Sequence, residues 1–257
     1  MTIDHFRSLF RYDQDKVGYI GVERECFTCD QTGKIVSQAH KVLMSVKKGP
    51  EFGYELSACQ VETRIGPCLL KDLHFHLDER NAQLNDAFAD NGLSALHSEV
   101  APADMPLDIY PDPTGRYQKM TKNMPREILL AACRVVATHV HIGMRDHDMA
   151  LRVYNHVTRH FVELCEMGDG SCGERFAIYK QMAPDYEPKP YANWEDYYQR
   201  ALAKGFVEDP RKCWTLIRIS VHGTIEFRMF GATDSIGRIV GWATRCHELC
   251  QEAMTKA

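Results

Sequence analysis

The chain has 257 residues, of which 26% are charged and 44% hydrophobic, and its formal net charge is −4. That length suits one large domain or two small ones, and the composition is that of a soluble globular protein rather than a disordered or membrane-embedded one. No apolar run is long enough to span a bilayer, the N-terminus lacks a signal-peptide core, and the charge gives no global attraction to nucleic acid, so a cytoplasmic location is expected.

Residues 1–16 carry a weak helical period at Phe6, Leu9 and Phe10, which predicts a short leading helix or a frayed end. Residues 17–27 read as the first strand, and Asp30 to Lys34 as a turn leading into Ile35 and Val36, hence a hairpin. A short segment at 42–46 is followed by a break at Gly49-Pro50 and a strand over 54–64 that Gly66-Pro67 stops. Leu69, Leu73, Leu77, Leu84 and Phe88 then recur at helical steps until Asn91-Gly92, with His74 and His76 on the solvated flank. A strand over 93–100, a Pro-rich surface segment over 101–113 and a short helix from about Thr114, carrying Arg116, come next.

Residues 128–142 favour helix in their first half and strand from Arg134 onward, ending at Gly143. A long amphipathic helix follows, capped by Asp146 or Asp148, with Leu151, Tyr154, Val157, Phe161, Leu164 and Cys165 on its buried side. The glycine-rich loop 168–173 and the segment interrupted by Pro184, Pro188 and Pro190 form either a substrate lid or a plain surface connection. Asn193 caps a helix that stops at Gly205, residues 213–220 and 224–230 make a hairpin about His222-Gly223, and the last helix starts after Ser235. Ten cysteines include Cys26-x-x-Cys29 and Cys246-x-x-x-Cys250, but a structural zinc site needs two matched knuckles, so free thiols, several of them buried, are expected. With no linker dividing the chain, residues 1–257 read as one catalytic domain of α+β class, a largely antiparallel sheet with helices packed on one face.

Side chains two apart on a strand share a face. Glu23 and Glu25 therefore sit side by side, and two such charges about 7 Å apart repel by about 2 kcal/mol at an effective dielectric of about 20. Glu62, the pair His139 and His141, and Glu226 with Arg228 repeat that alternation on other predicted strands. Four carboxylates gathered on one face stay charged only with cations among them. Hard divalent ions such as Mg²⁺ fill that role, while Arg218 and Arg228 are suited to phosphate or carboxylate. Metals and arginines together point to phosphoryl transfer, although the chain lacks a P-loop and a kinase glycine loop.

The ordered set Gly-Val-Glu-x-Glu, Gln-Val-Glu-Thr, Thr-His-Val-His-Ile-Gly and Gly-Thr-Ile-Glu-Phe-Arg resembles the glutamate–cysteine ligase type 2 and carboxylate–amine ligase family over about residues 17–250. The resemblance implies a glutamine synthetase-like fold and an ATP-dependent ligase that phosphorylates a carboxylate, often the γ-carboxylate of glutamate, before an amine displaces phosphate to give an amide. It implies that Glu23, His139 and Glu226 hold a Mg²⁺ (or Mn²⁺) on the nucleotide phosphates, and that Glu25 and Glu62, with Glu55, hold a second nearer the acyl phosphate. Likewise it implies that His141 and Arg228 contact the phosphates, that Arg218 stabilises the transferring group, and that Arg116 and Arg175 bind substrate carboxylate or phosphate. Glu55 is seven residues from Glu62, an odd separation that sets the two on opposite faces unless the strand bends.

Two departures from the family pattern stand out. The region after the His-x-His motif looks abbreviated, which leaves the amine-acceptor pocket open to question, and Arg24 occupies a position where relatives often carry a third acid. The expected partners are small-molecule amino acids, with neither nucleic acid nor membrane, and assembly into a homo-oligomer is left open. Two other readings remain at this point: a metal-dependent hydrolase, and a non-catalytic nucleotide-binding protein on the same fold.

Overall fold

The computed structural model describes residues 1–46 and 49–255. Seven strands form one sheet: β1 (Ile20–Cys29), β2 (Phe52–Tyr54), β3 (Gln60–Cys68), β4 (Ser94–Leu96), β5 (Ala137–Gly143), β6 (Ile217–Ser220) and β7 (Thr224–Gly231). Their order is β2-β3-β1-β5-β7-β6, with β4 beside the end of β1, and every pairing is antiparallel.

Alternation builds the two faces of this sheet. Val22, Val140, Ile142, Ile225 and Phe227 are at most 1% exposed on one face, where each such burial contributes about 1.5–3 kcal/mol. Against them pack the helices α3 (Leu73–Asp90), α6 (His147–Val157), α7 (Phe161–Gly168) and α10 (Ile236–Met254), through residues such as Leu77, Val153, Leu164 and Ile239. Arg24, one residue out of step with Glu23 and Glu25, points to this side, toward Asn81 of α3 and the Thr233 carbonyl.

The helix layer lies where the apolar periodicity predicts it, but the opposite face is also partly roofed. Beyond Glu25 that face turns apolar: Phe27 and Cys29 join Leu56, Cys59, Ala101, Met105, Cys133 and Val136 in a separate cluster. The helices α4 (Arg116–Thr121), α5 (Arg126–Arg134) and α8 (Glu174–Met182) stand around what is left uncovered. A cavity of about 910 Å³ results.

Several local expectations change. The strand expected over 54–64 is two strands, β2 and β3, separated by an irregular turn that carries Glu55. Gly66-Pro67 does not stop β3; the register against β1 shifts by one residue between Ile20 and Val22, and Gly66, at φ +87°, takes up the bulge. The segment at 42–46 is helical through Ser45, the end of α2 (Ala39–Ser45), and the strand expected over 93–100 shrinks to β4 plus a single bridge from Val100 to Val135. Residues 30–36 turn back on β1 through one bridge, Cys29 to Ile35, because the Asp30 carboxylate accepts from Thr32 N, Thr32 Oγ1 and Lys34 N and closes a tight loop instead of a long hairpin.

At the N-terminus, α1 (Ile3–Ser8) is a docked helix, its fully buried Phe6 edge-on to Tyr197 of α9 (Trp194–Ala203). Asp146, accepting from the Met149 N–H at 2.8 Å, is the residue that caps α6. A 3₁₀ turn at Thr158–His160 separates α6 from α7 where one continuous helix was expected. The ten cysteines are free thiols, eight of them buried.

Candidate active site

The strand register brings the separate motifs into lateral rows. Glu25 pairs with Glu62, and Glu62 with Gly53; Glu23 lies between Arg64 and His139; His141 pairs with Glu226, and Glu226 with Arg218. Because all of these residues have the same parity on their strands, they face the cavity together. Glu55, freed from the parity argument by the break between β2 and β3, also reaches it.

Two groups of ligand-type atoms emerge. One carboxylate oxygen from each of Glu25, Glu55 and Glu62 lies within 4.8 Å of the others, and so do one carboxylate oxygen each of Glu23 and Glu226 and a ring nitrogen of His141. His139 bridges the groups, with Nδ1 3.2 Å from Glu23 Oε2 and Nε2 3.9 Å from Glu25 Oε1. Arg218 grips Glu226 with two hydrogen bonds of 2.7 and 2.9 Å, and Arg228 adds a third to the same carboxylate.

The charges on the two groups diverge for physical reasons. Burial and then the neighbouring Glu62 push the Glu25 carboxyl up to about 8. Burial and then Glu25 push Glu55 up to about 7, and burial with Glu55 and Glu23 raises Glu62 as well. In the other group burial would raise Glu23, but His141 and His139 outweigh it and hold the carboxylate well below its usual range. Glu226 is likewise held low, because Arg218 and Arg228 overcome its burial. The imidazoles separate too: burial and Arg228 lower His139 to about 4, whereas Glu226 and Glu23 raise His141 against its burial.

A divalent cation fits these residues. Three crowded carboxyls driven toward protonation would recover their ionised form around a cation that prefers oxygen ligands. His141 Nε2 and Glu62 Oε1 are buried without a hydrogen-bond partner among the described residues, although Arg64 forms an ion pair with that same Glu62 oxygen. The carboxylate oxygen is a lone-pair donor of the kind a metal ion would satisfy, and the ring nitrogen suits a metal ion when neutral or a phosphate oxygen when protonated.

The arginines proposed from sequence divide. Arg218 and Arg228 are in the cluster, and Arg116 stands on the cavity rim at the start of α4. Arg175 borders the cavity but is 1% exposed, with its guanidinium turned to Glu99 at 3.5 Å and to the Met229 carbonyl. Sequence reading missed Arg64, which the same two-residue step from Glu62 would have found. It also missed Tyr54 at the end of β2, and Tyr117, Lys119 and Trp214, which lie outside the strands, on the cavity wall.

An acid-rich and histidine-bearing face on an antiparallel sheet, with arginines at its edge, thus lines the cavity. A sequence profile of glutamate-cysteine ligase family 2 matches residues 19–162, and the chain belongs to that family. It is 24% identical over 254 residues to a Thermobifida fusca protein provisionally named glutamate–cysteine ligase 2, covering 90% of this chain and 63% of that one. It is also 23% identical over 240 residues to a protein named glutamate–cysteine ligase from Haloquadratum walsbyi, covering 83% of this chain and 64% of that one. The chain thus spans somewhat less than two thirds of the length of these relatives. Among solved structures, a bifunctional glutathione synthetase from Pasteurella multocida shares the fold, with a TM-score of 0.66 and 12% identity over 99% of this chain and 40% of that one.

Proposed function

We propose that this chain catalyses ATP- and divalent-cation-dependent joining of a carboxylate to an amine, with glutamate or a related amino acid as the carboxylate donor. The observation that carries this reading is the pair of adjoining ligand groups on one cavity-facing sheet surface, with Arg218 and Arg228 at their edge. Membership of the family supports it, as do the relatives' names.

In this reading Glu25, Glu55 and Glu62 hold one Mg²⁺ or Mn²⁺, and Glu23, Glu226 and His139 hold the other. Proximity alone would choose His141 for the second set, since its ring nitrogen converges with Glu23 and Glu226. What supports His139 instead is the direction of its charge: a ligand imidazole must be neutral, and burial with Arg228 draws His139 that way, whereas Glu226 and Glu23 draw His141 toward the cation. When bound, the divalent ions neutralise and align phosphate oxygens. His141 and Arg228 then contact the nucleotide phosphates as fixed positive charges, and Arg218 stabilises the γ-phosphoryl group in transfer. Arg116 on the rim is placed to receive a substrate carboxylate, while Arg175 keeps the cavity wall in position through Glu99.

A carboxylate oxygen of the donor attacks the γ-phosphorus, the bond to ADP breaks, and the amine nitrogen then displaces phosphate from the acyl phosphate. Amide, ADP and inorganic phosphate are the products. The test is to incubate the protein with ATP, Mg²⁺, glutamate and pooled amines, following ADP release and product masses beside Glu23→Gln. Amide and ADP from the unmodified chain alone are expected; ATP consumption without an amide in any mixture would overturn the reading.

A further inference from the structure

In the helix layer, on the other side of the sheet from the cavity, a different set of ligand-type side chains meets. His156 lies in the last turn of α6, His160 closes the 3₁₀ turn that follows, and Glu252 lies near the end of α10. One ligand atom from each is within 4.8 Å of the other two. The four-residue step puts both imidazoles on one side of the helical segment, with ring centroids 5.4 Å apart.

The supporting contacts are already arranged for coordination. His156 Nε2 is 3.2 Å from Glu252 Oε2. Glu163, 3.1 Å from His160 Nδ1, is itself held by Arg245 Nε at 2.7 Å, so the His160 ring is oriented by an anchored carboxylate. Carboxylates in that position fix the tautomer and ring direction of a metal-binding histidine. Both histidines are mostly covered, their side chains 15% and 27% exposed, while Glu252 faces solvent from which a water could enter.

We propose that His156, His160 and Glu252 form a second cation site that takes a transition metal of the Zn²⁺ class, completed by water. Two imidazole nitrogens and one carboxylate oxygen are a three-ligand set that Zn²⁺ uses readily and that Mg²⁺, which prefers oxygen and retains water, does not. The two sites therefore select different metals. The ion would tie the last turn of α10 to the break between α6 and α7, where the backbone leaves regular helix, and would act as a clamp on the helix layer rather than in the reaction.

The test uses metal-stripped full chain in saturating Mg²⁺, which occupies the carboxylate groups of the cavity, titrated with Zn²⁺ against a chromophoric chelator. One equivalent of Zn²⁺ should bind, His156→Ala and His160→Ala should each weaken it by about 10–100-fold, and Glu23→Gln should leave it unchanged. Circular dichroism of the metal-free variants verifies the fold, and Glu252→Gln offers a milder change with the same direction. Zn²⁺ should also raise the unfolding temperature of the unmodified chain but not that of the double variant His156→Ala, His160→Ala. Zn²⁺ affinity that persists in that double variant would assign the ion to the thiols or the cavity and overturn the proposal, as would failure of the unmodified chain to bind Zn²⁺.

Discussion

His139 stands directly across the β1–β5 ladder from Glu23, and its imidazole spans the two glutamates of β1, 3.2 Å from Glu23 and 3.9 Å from Glu25. A single ring thus couples the two acidic groups. Its removal would free both carboxylates at once, which makes the face sensitive to any change in the protonation or metal occupancy of either.

Glu23→Gln removes one anionic ligand without changing side-chain volume. Loss of a group that merely supports a ligand costs about 10–100-fold in metal affinity or activity, so loss of the ligand itself should lower ATP turnover by at least about 100-fold. Steady-state ADP release against Mg²⁺ concentration checks this, and an unaltered Mg²⁺ dependence would remove Glu23 from the ligand set.

The two histidines should fail differently. His139→Ala is expected to raise the Mg²⁺ concentration needed for half-maximal rate, whereas His141→Ala should chiefly raise the KM for ATP, because a cation contacting phosphate acts on the nucleotide. Initial rates over a grid of ATP and Mg²⁺ separate these outcomes; the reverse pattern would exchange the two roles.

Stability should depend on pH in a direction fixed by the carboxyl groups. In the folded chain Glu25 and Glu55 titrate at about 8 and 7, against 4.5 for an ordinary glutamate, so between these values the folded state binds more protons than the unfolded state. Stability then falls as pH rises. His139, lowered to about 4 from 6.5, works in the opposite sense, but only below about pH 6.5. From pH 6.5 to 8 the unfolding temperature of metal-free protein should therefore drop. Glu25→Gln should reduce the drop and Mg²⁺ should flatten it, as scanning calorimetry can show.

Arg175 is expected to matter through the fold. It is buried against Glu99 and the Met229 carbonyl, and removing one member of a buried ion pair costs about 3–5 kcal/mol. Arg175→Ala should lose stability of that order in urea unfolding. An Arg175→Lys variant that keeps its stability but loses ATP affinity would instead return Arg175 to the nucleotide site.

Much of the site was legible because strand geometry is indifferent to distant surroundings. The two-residue period fixes which side chains share a face, so Glu23 with Glu25, His139 with His141, and Glu226 with Arg228 could be grouped before any fold was known. The same rule, applied one step further, reaches Arg64. Glu55 was illegible for the complementary reason: its parity relative to Glu62 had meaning only on an unbroken strand, and the chain turns between β2 and β3. Nor could the sequence foresee that residues 101–136 fold back over part of the sheet face that bears the site, since that route is set by Phe27, Leu56, Cys133 and Val136 finding one another across long stretches of chain.

The sequence by itself determined the alternation of apolar and chemical residues along each strand, and the family resemblance that its ordered motifs carry. Only the tertiary structure decided which strands became neighbours, and with that the pairing of Glu25 with Glu62, of Glu23 with His139, and of Arg218 with Glu226. The physical reason is that side-chain direction is a local property of an extended backbone, whereas strand order and register come from the burial of a shared core to which residues far apart in the chain contribute together.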